Sequence, residues 1–256
     1  MFIKFKLFDM ALKHYRHTPR KVRLREVYVW QIPVRVYHWV NVLCIIMLSF
    51  TGYLIGAPLA IQNSAEASFS YWFGIIRFLH FAFSYLFFFN FVFRIYWGFV
   101  GNKYSRLHNY VPYTKSQWKN IFEVLKVDIF QVTHKRMKDI GHNSLASFTY
   151  FVTFLAFVLQ SFTGFGMYAA MSDAWFPKLF SWIVPLLGGD FLTRNLHHIL
   201  MWVFLLFGII HIYLVFYHDY IERRGVTSSM IGGWKFIEED ILEEEGDRQE
   251  DYEDIL

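Results

Sequence analysis

An all-α integral membrane protein, built as a bundle of four transmembrane helices, is the fold that the sequence predicts. Of the 256 residues, 55% are hydrophobic and 21% aromatic, where an ordinary soluble domain has about 45–50% apolar residues. The apolar residues are concentrated in four stretches, each long enough to cross a hydrocarbon core of about 30 Å. The predicted spans are residues 36–57, 71–100, 145–170 and 196–217.

The distribution of Lys and Arg between the spans predicts the orientation. The N-terminal segment 1–35 contains nine of these residues and the loop 101–144 contains eight. The loop 58–70 contains none and the loop 171–195 contains two. Because cytoplasmic loops carry the excess of Lys and Arg, we expect both termini and the middle loop to be cytoplasmic. In a bacterium, the chain is then a multi-pass protein of the inner membrane.

Two segments outside the spans have their own patterns. The loop between spans 2 and 3 has apolar residues at helical spacing from Trp118 to Ile129, with lysines between them. This pattern predicts an amphipathic helix, which either lies on the cytoplasmic membrane surface or packs on the bundle. Residues 218–256 form a cytoplasmic tail with eleven acidic residues from Glu238 onward, and we expect disorder from about residue 238.

An internal repeat relates the two halves of the predicted bundle. Ser49–Tyr53, near the end of the first span, recurs as Ser161–Phe165 near the end of the third. The pattern Arg-x-Leu-His at Arg77–His80 recurs at Arg194–His197. The repeat indicates two similar helical hairpins, and it selects His197 rather than His198 as the equivalent of His80.

Five of the eleven histidines fall inside the predicted spans: His38, His80, His197, His198 and His211. An ionisable side chain inside a membrane usually has a function, although a single such histidine can equally well hydrogen-bond a neighbouring helix. His197 and His211 are fourteen residues apart, so they share a helix face and lie about 21 Å apart along the axis. The span directions then pair His38 with His211 near the cytoplasmic face, and His80 with His197 near the outer face.

Paired imidazoles suit haem iron whose two axial positions are filled, an arrangement typical of electron transfer. The sequence therefore predicts two haem groups, one for each pair. Gly52 and Gly164 are candidates for packing against haem, or equally for close helix packing. Arg77 and Arg194 lie one turn outward from the outer pair, as candidates for binding haem propionates or as ordinary interface anchors.

Five segments carry a resemblance to a known family: Pro33–Trp39, Thr51–Tyr53, Ile76–Phe81, Arg94–Arg106 and Asp139–Asn143. Over nearly all of residues 28–236, the chain resembles the b-type cytochrome subunit of membrane-bound nickel–iron hydrogenases. Such subunits are similar to the membrane cytochromes of respiratory formate dehydrogenases, which are four-helix proteins with two haems b. The acidic tail lies outside the resemblance.

The resemblance implies a function as well as a fold. The haem ligands by motif are His38, His80, His197 and His211, the set that depth and spacing also select. The implied partners are the large nickel–iron subunit and the small iron–sulfur subunit of a periplasmic hydrogenase. Electrons from hydrogen would enter at the outer haem b, pass to the inner haem b and reduce a quinone near the cytoplasmic face. The chain is then an electron-transfer subunit rather than a stand-alone enzyme.

The quinone site is expected at the cytoplasmic end of the third span, with His142 and Asn143 as candidates. Asn143 can instead cap the helix that begins at Ser144. Two other functions stay open from the sequence. One is the cytochrome subunit of another respiratory dehydrogenase, such as one that oxidises formate. The other is a haem-free membrane anchor or transporter, although the predicted spans contain no Asp or Glu of the kind that transporters use.

Overall fold

The computed structural model describes residues 23–59, 71–107, 118–119, 144–222 and 224–243. Within these ranges, four long helices account for most of the chain, and two strands and three short helices complete it. In chain order the elements are β1 (Leu24–Tyr28), α1 (Ile32–Gly56), α2 (Trp72–Val100), α3 (Ser144–Ala169), α4 (Trp175–Lys178), α5 (Ile183–Leu186), α6 (Asp190–Glu222), α7 (Val226–Gly232) and β2 (Trp234–Glu238).

The four long helices confirm the four predicted spans. Their lengths of 25 to 33 residues correspond to roughly 38 to 50 Å, which exceeds the hydrocarbon thickness. Two helices begin earlier than predicted. The helix α1 begins at Ile32, with Pro33 in its first turn. Backbone N–H groups in the first turn have no partner within the helix, so the missing N–H of proline costs no hydrogen bond there. The helix α6 begins at Asp190, whose carboxylate binds Arg194 at 2.8 Å and suits the positive end of the helix dipole.

The helices pair as two hairpins, α1 with α2 and α3 with α6, and α1 also contacts α6. The bundle core is formed by aromatic and small side chains from all four long helices: Cys44, Phe87, Phe91, Ala156, Phe157, Leu200 and Phe204. By contrast, large apolar side chains elsewhere on the helices are exposed, such as Phe99 at 73% and Ile209 at 68%. Apolar groups on the outward faces fit helices surrounded by lipid.

An aromatic cluster connects the end of α3 to the short helix α4. Phe165 is 3% exposed, and its ring lies 5.2 Å from that of Phe176 and 5.4 Å from that of Phe180. From α2, the ring of Phe88 lies 5.5 Å from the Phe165 ring. These contacts fix the C-terminal end of α3 beside α2.

A hydrogen-bonded strap links the end of α2 to the segment before α1. The Gln31 side-chain oxygen accepts hydrogen bonds from Trp97 Nε1 and from the Asn102 backbone N–H, each at 3.0 Å. Asn102 Nδ2 donates to the Val29 carbonyl at 2.9 Å, and Ser105 Oγ donates to Asn102 Oδ1 at 2.7 Å. The segment Arg94–Arg106 therefore has a structural role at this end of the bundle.

Arg94 belongs to the same region and is 2% exposed. Its Nη2 donates to the Ser105 carbonyl at 3.0 Å. Its Cζ lies 5.9 Å from the centre of the Tyr37 ring and 5.3 Å from that of Tyr150. Because Tyr37 lies on α1 and Tyr150 on α3, this guanidinium joins three of the four spans through cation–π contacts.

The strands β1 and β2 form a two-stranded sheet that sequence reasoning did not predict. Gly233 precedes β2 with a φ of 92°, a conformation that glycine adopts without strain. Its carbonyl accepts from the backbone N–H groups of Val29 and Trp30 at 2.9 and 3.1 Å. A Cβ at Gly233 would lie 2.7 Å from the Trp30 carbonyl oxygen, so only glycine fits.

The chain divides into two compact units, residues 28–235, which contain the spans, and a smaller unit of residues 1–27 and 236–256. In the described part of the smaller unit, the Glu239 N–H donates to the Arg23 carbonyl at 3.1 Å. Residues 239–243 are helical, where the sequence analysis expects a disordered tail, and Ile241 is buried. Residues 244–256 lie outside the described residues.

The predicted amphipathic helix between spans 2 and 3 also lies mostly outside the described residues. Of that segment, Trp118 and Lys119 are described, and both are helical. The Trp118 ring packs against Phe148 of α3 at a centroid distance of 5.4 Å. At Trp118 the segment therefore packs on the bundle. Whether the rest of the segment packs on the bundle or lies on the membrane surface stays a prediction.

Candidate haem site

His38 of α1 and His211 of α6 lie close together, and we call them the inner pair. Their ring centroids are 6.4 Å apart and their planes are inclined by 53°. The His211 ring stacks on Phe207 at 5.4 Å, and the His38 ring meets the edge of Trp39 at 5.2 Å. Aromatic neighbours, rather than hydrogen bonds, therefore orient this pair.

The inner pair has the spacing that a metal ion between two imidazoles requires. Metal–imidazole bonds of about 2.0–2.1 Å, as at zinc, place two ring centres about 6 Å apart, close to the observed separation. His38 Nδ1 is buried and has no hydrogen-bond partner among the described residues. No hydrogen bond of that nitrogen therefore fixes the orientation of the ring.

His80 of α2 and His197 of α6 are the residues predicted to form the outer pair, and each is held by a threonine. Thr51 Oγ1 lies 2.9 Å from His80 Nδ1, and Thr163 Oγ1 lies 2.9 Å from His197 Nδ1. Both threonines are almost fully buried. The two hairpins therefore present the same contact, as their internal sequence repeat leads one to expect.

The glycines of the repeat lie against the imidazole rings of the outer pair. A Cβ at Gly52 would be 3.2 Å from His80 Cε1, and a Cβ at Gly164 would be 3.0 Å from His197 Cε1. Each distance is shorter than an ordinary van der Waals contact. The missing side chains thus make room for the histidine rings, and the packing of these glycines against haem itself stays a prediction.

Two further polar side chains lie beside the outer pair. Gln160 Nε2 is 3.2 Å from His197 Nε2. His198 points toward α1, where a Cβ on Gly56 would be 3.0 Å from His198 Nε2. His198 directly follows His197 in α6. It is therefore a neighbour of the outer pair, although the sequence repeat selects His197.

The two arginines nominated for haem propionates have different surroundings. Arg77 Nη2 donates to Met171 Sδ at 3.5 Å, and its Cζ lies 6.0 Å from the centre of the Phe81 ring. Arg194 forms an exposed ion pair with Asp190. Their propionate role stays a prediction, and the quinone candidates His142 and Asn143 lie outside the described residues.

The contacts of Thr51, Thr163 and Gln160 with the histidines are not among the sequence predictions. For the two threonines a signal is available, because the repeat Ser-Phe-Thr-Gly contains both of them. Gln160 has no such signal, because the corresponding residue in the first span is Leu48.

Four apolar spans with one histidine pair side by side between two of them fit a class, the multi-pass membrane cytochromes. More specifically, the chain belongs to the prokaryotic cytochrome b561 family, whose model matches residues 29–233. This match confirms the resemblance seen in the sequence motifs.

Three relatives illustrate the relationship. A probable Ni/Fe-hydrogenase B-type cytochrome subunit of Azotobacter vinelandii is 39% identical, over 84% of this chain and 90% of that protein. A protein of the same description from Cupriavidus necator is 37% identical, over 83% and 88%. The probable Ni/Fe-hydrogenase 1 B-type cytochrome subunit of Escherichia coli K12 is 35% identical, over 81% and 90%.

Proposed function

We propose that the chain is the dihaem cytochrome b subunit of a hydrogen:quinone oxidoreductase. It carries electrons from a periplasmic nickel–iron hydrogenase across the membrane to the quinone pool, and it helps to anchor the complex. The observation that carries this proposal is the geometry of the inner pair, whose ring centroids are 6.4 Å apart. The choice of a hydrogenase as the partner in this proposal comes from the names of the relatives.

In this proposal each histidine pair holds one haem b. His38 and His211 bind the cytoplasmic-side group, and His80 and His197 bind the periplasmic-side group. Haem b, when bound by two imidazoles, supplies one-electron chemistry without an open position for oxygen. The protein orients the imidazoles and surrounds them with apolar side chains from all four spans.

The direction of transfer follows from the proposed topology. With both termini in the cytoplasm, as the Lys and Arg distribution indicates, His80 and His197 lie near the outer surface of the inner membrane. There the large and small hydrogenase subunits would dock. The quinone would bind near the inner pair, where His142 and Asn143 are the candidates for hydrogen bonding a quinone carbonyl.

The ligand assignment is tested by single substitutions in the full chain, purified with its complex. His80→Ala and His38→Ala are each expected to remove about half of the bound haem, and to remove different spectral components. His198→Ala is the matched control, because it changes the neighbour of His197 and should keep both haems. Loss of haem in His198→Ala with retention in His197→Ala would contradict the assignment of the outer pair.

The source of electrons is tested separately with the same preparation. Hydrogen should reduce the bound haem only when the nickel–iron subunits are present, and those subunits should co-purify with the chain. Purification with a formate-oxidising enzyme instead would assign the cytochrome to another respiratory complex.

A further inference from the structure

The two threonines of the repeat make an identical set of contacts. Thr51 Oγ1 lies 2.6 Å from the Met47 carbonyl oxygen of its own helix and 2.9 Å from His80 Nδ1. Thr163 Oγ1 lies 2.8 Å from the Leu159 carbonyl oxygen and 2.9 Å from His197 Nδ1. A contact duplicated in both hairpins, at side chains that are 2% and 1% exposed, indicates a shared role.

The proton count of the hydroxyl group gives the direction of these hydrogen bonds. A threonine hydroxyl has one proton to donate and two lone pairs to accept with. A carbonyl oxygen can only accept, so the hydroxyl proton goes to Met47 or Leu159 of its own helix. The contact with the imidazole is then a hydrogen bond from the histidine Nδ1–H to the threonine oxygen.

We propose that Thr51 and Thr163 are positioning residues that hold His80 and His197 with the proton on Nδ1 and the lone pair on Nε2. This inference rests on the proposed function, because the lone pair on Nε2 is the one that would bind the iron of the outer haem. Each threonine also fixes the angle of the ring, with Gly52 or Gly164 leaving the space that the ring occupies.

Gln160 also lies beside His197, with its side-chain nitrogen 3.2 Å from His197 Nε2. The assignment of the proton rests on the threonine contacts, which are the same in both hairpins.

In the described part of the chain, neither histidine of the inner pair bonds to a threonine. There His38 Nδ1 is buried without a hydrogen-bond partner, and the His211 ring is oriented by stacking on Phe207. Hydrogen bonding from the free N–H of a ligating histidine raises the basicity of the ligand, and stronger donation favours oxidised iron. The threonines therefore lower the reduction potential of the outer haem and leave that of the inner haem unchanged.

The test compares Thr51→Val and Thr163→Val with Thr51→Ser and Thr163→Ser in the full chain within its complex. Valine keeps the shape of threonine and removes the acceptor, whereas serine keeps the acceptor. The readouts are an optical redox titration and the electron paramagnetic resonance signals of the two oxidised haems. In the valine variants, the outer midpoint should shift to a more positive potential, or the outer haem alone should be lost. The serine variants should keep the wild-type values.

Thr153→Val is the matched control, because Thr153 lies on α3 and hydrogen-bonds only carbonyls of its own helix, at 3.0 and 2.9 Å. It should change neither haem. The inference is overturned if the valine variants leave the outer midpoint and its resonance signal unchanged. It is equally overturned if both haems change to the same extent, or if Thr153→Val has the same effect.

The ligand variants separate this inference from the proposed function. If His80→Ala and His197→Ala leave the outer spectral component intact, the proposed function fails at its outer site. If those variants remove it while the valine variants behave as wild type, the haem assignment stands and only the role of the threonines is wrong.

Discussion

At the scale of single residues, the rings of the outer pair need both the absence of a side chain at two glycines and the hydroxyl groups of two threonines. Gly52 and Gly164 contact the imidazole carbons at distances that leave no room for a methyl group. The adjacent threonines contact Nδ1, the ring atom bonded to that carbon. The dipeptide Thr-Gly thus supplies both an acceptor and a space, and it occurs once in each hairpin.

Gly52→Ala and Gly164→Ala should each weaken binding of the outer haem, because the new Cβ pushes the imidazole away from its position. We expect a loss of roughly 10- to 100-fold in haem affinity, the usual effect of disturbing a partner of a metal ligand. Haem retention during purification and the outer spectral component are the measurements.

Gly208→Ala is the control, since a Cβ at Gly208 on α6 would meet no atom within 4 Å. Its haem content should equal that of the wild type. Full outer haem content in both Gly52→Ala and Gly164→Ala would show that these rings have more freedom than the structure indicates.

Residue identities were predictable from the sequence where spacing along one helix decides them. The pairing of His38 with His211 follows from depth and span direction, and the structure places these rings side by side. The hydrogen bonds of Thr51 and Gln160 were not predictable, because they depend on the rotation of two helices about their axes. Periodicity in one helix says nothing about that rotation.

At the scale of elements, the motif Arg94–Arg106 shows how a distinctive sequence can have a structural role. Its asparagine and serine side chains bond to each other, and the asparagine also bonds to the segment before α1. The strap fixes the start of α1, and His38 lies less than two turns beyond that start. The packing of α1 against α2 therefore also helps to set the position of His38 in the inner pair.

Asn102→Ala should lower the stability of the bundle by roughly 1–3 kcal/mol, because it removes two side-chain hydrogen bonds and leaves the Val29 carbonyl without that donor. Thermal unfolding of the purified protein in detergent measures the effect. Arg106→Ala is the control from the same segment, because Arg106 is exposed and should leave the unfolding temperature unchanged. Equal unfolding temperatures for wild type and Asn102→Ala would contradict the role of the strap.

The helices themselves were predictable because each needs only local apolar length, whereas the starts of α1 and α6 were not. The helix α6 extends outward to Asp190 through an ion pair with Arg194, so charged residues continue a helix beyond its apolar stretch. The strands β1 and β2 are more than 200 residues apart in the chain. Their pairing depends on the fold of the whole bundle, which no local pattern records.

At the scale of the whole molecule, the proposed function requires a fixed direction across the membrane. The bundle has exposed apolar faces along its spans, and the sequence has its excess of Lys and Arg in segment 1–35 and loop 101–144. Electron transfer from a periplasmic hydrogenase to quinone requires that the outer pair lies near the periplasmic face.

Cysteine labelling in intact cells tests this direction. Ser172→Cys, between α3 and α4, should react with a membrane-impermeant thiol reagent from outside. Lys103→Cys, after α2, should react only after the cells are opened. The native Cys44 gives little background because it is fully buried. Labelling of Lys103→Cys from outside would reverse the proposed topology.

The number of haem b groups per chain in the purified complex decides whether the chain is a dihaem cytochrome. It is measured by the pyridine haemochrome assay together with reduction by hydrogen. We expect two haem b groups for each chain, both reduced by hydrogen in the presence of the nickel–iron subunits. A chain that purifies intact with its partners and contains no haem, or only one, would show the dihaem proposal to be wrong.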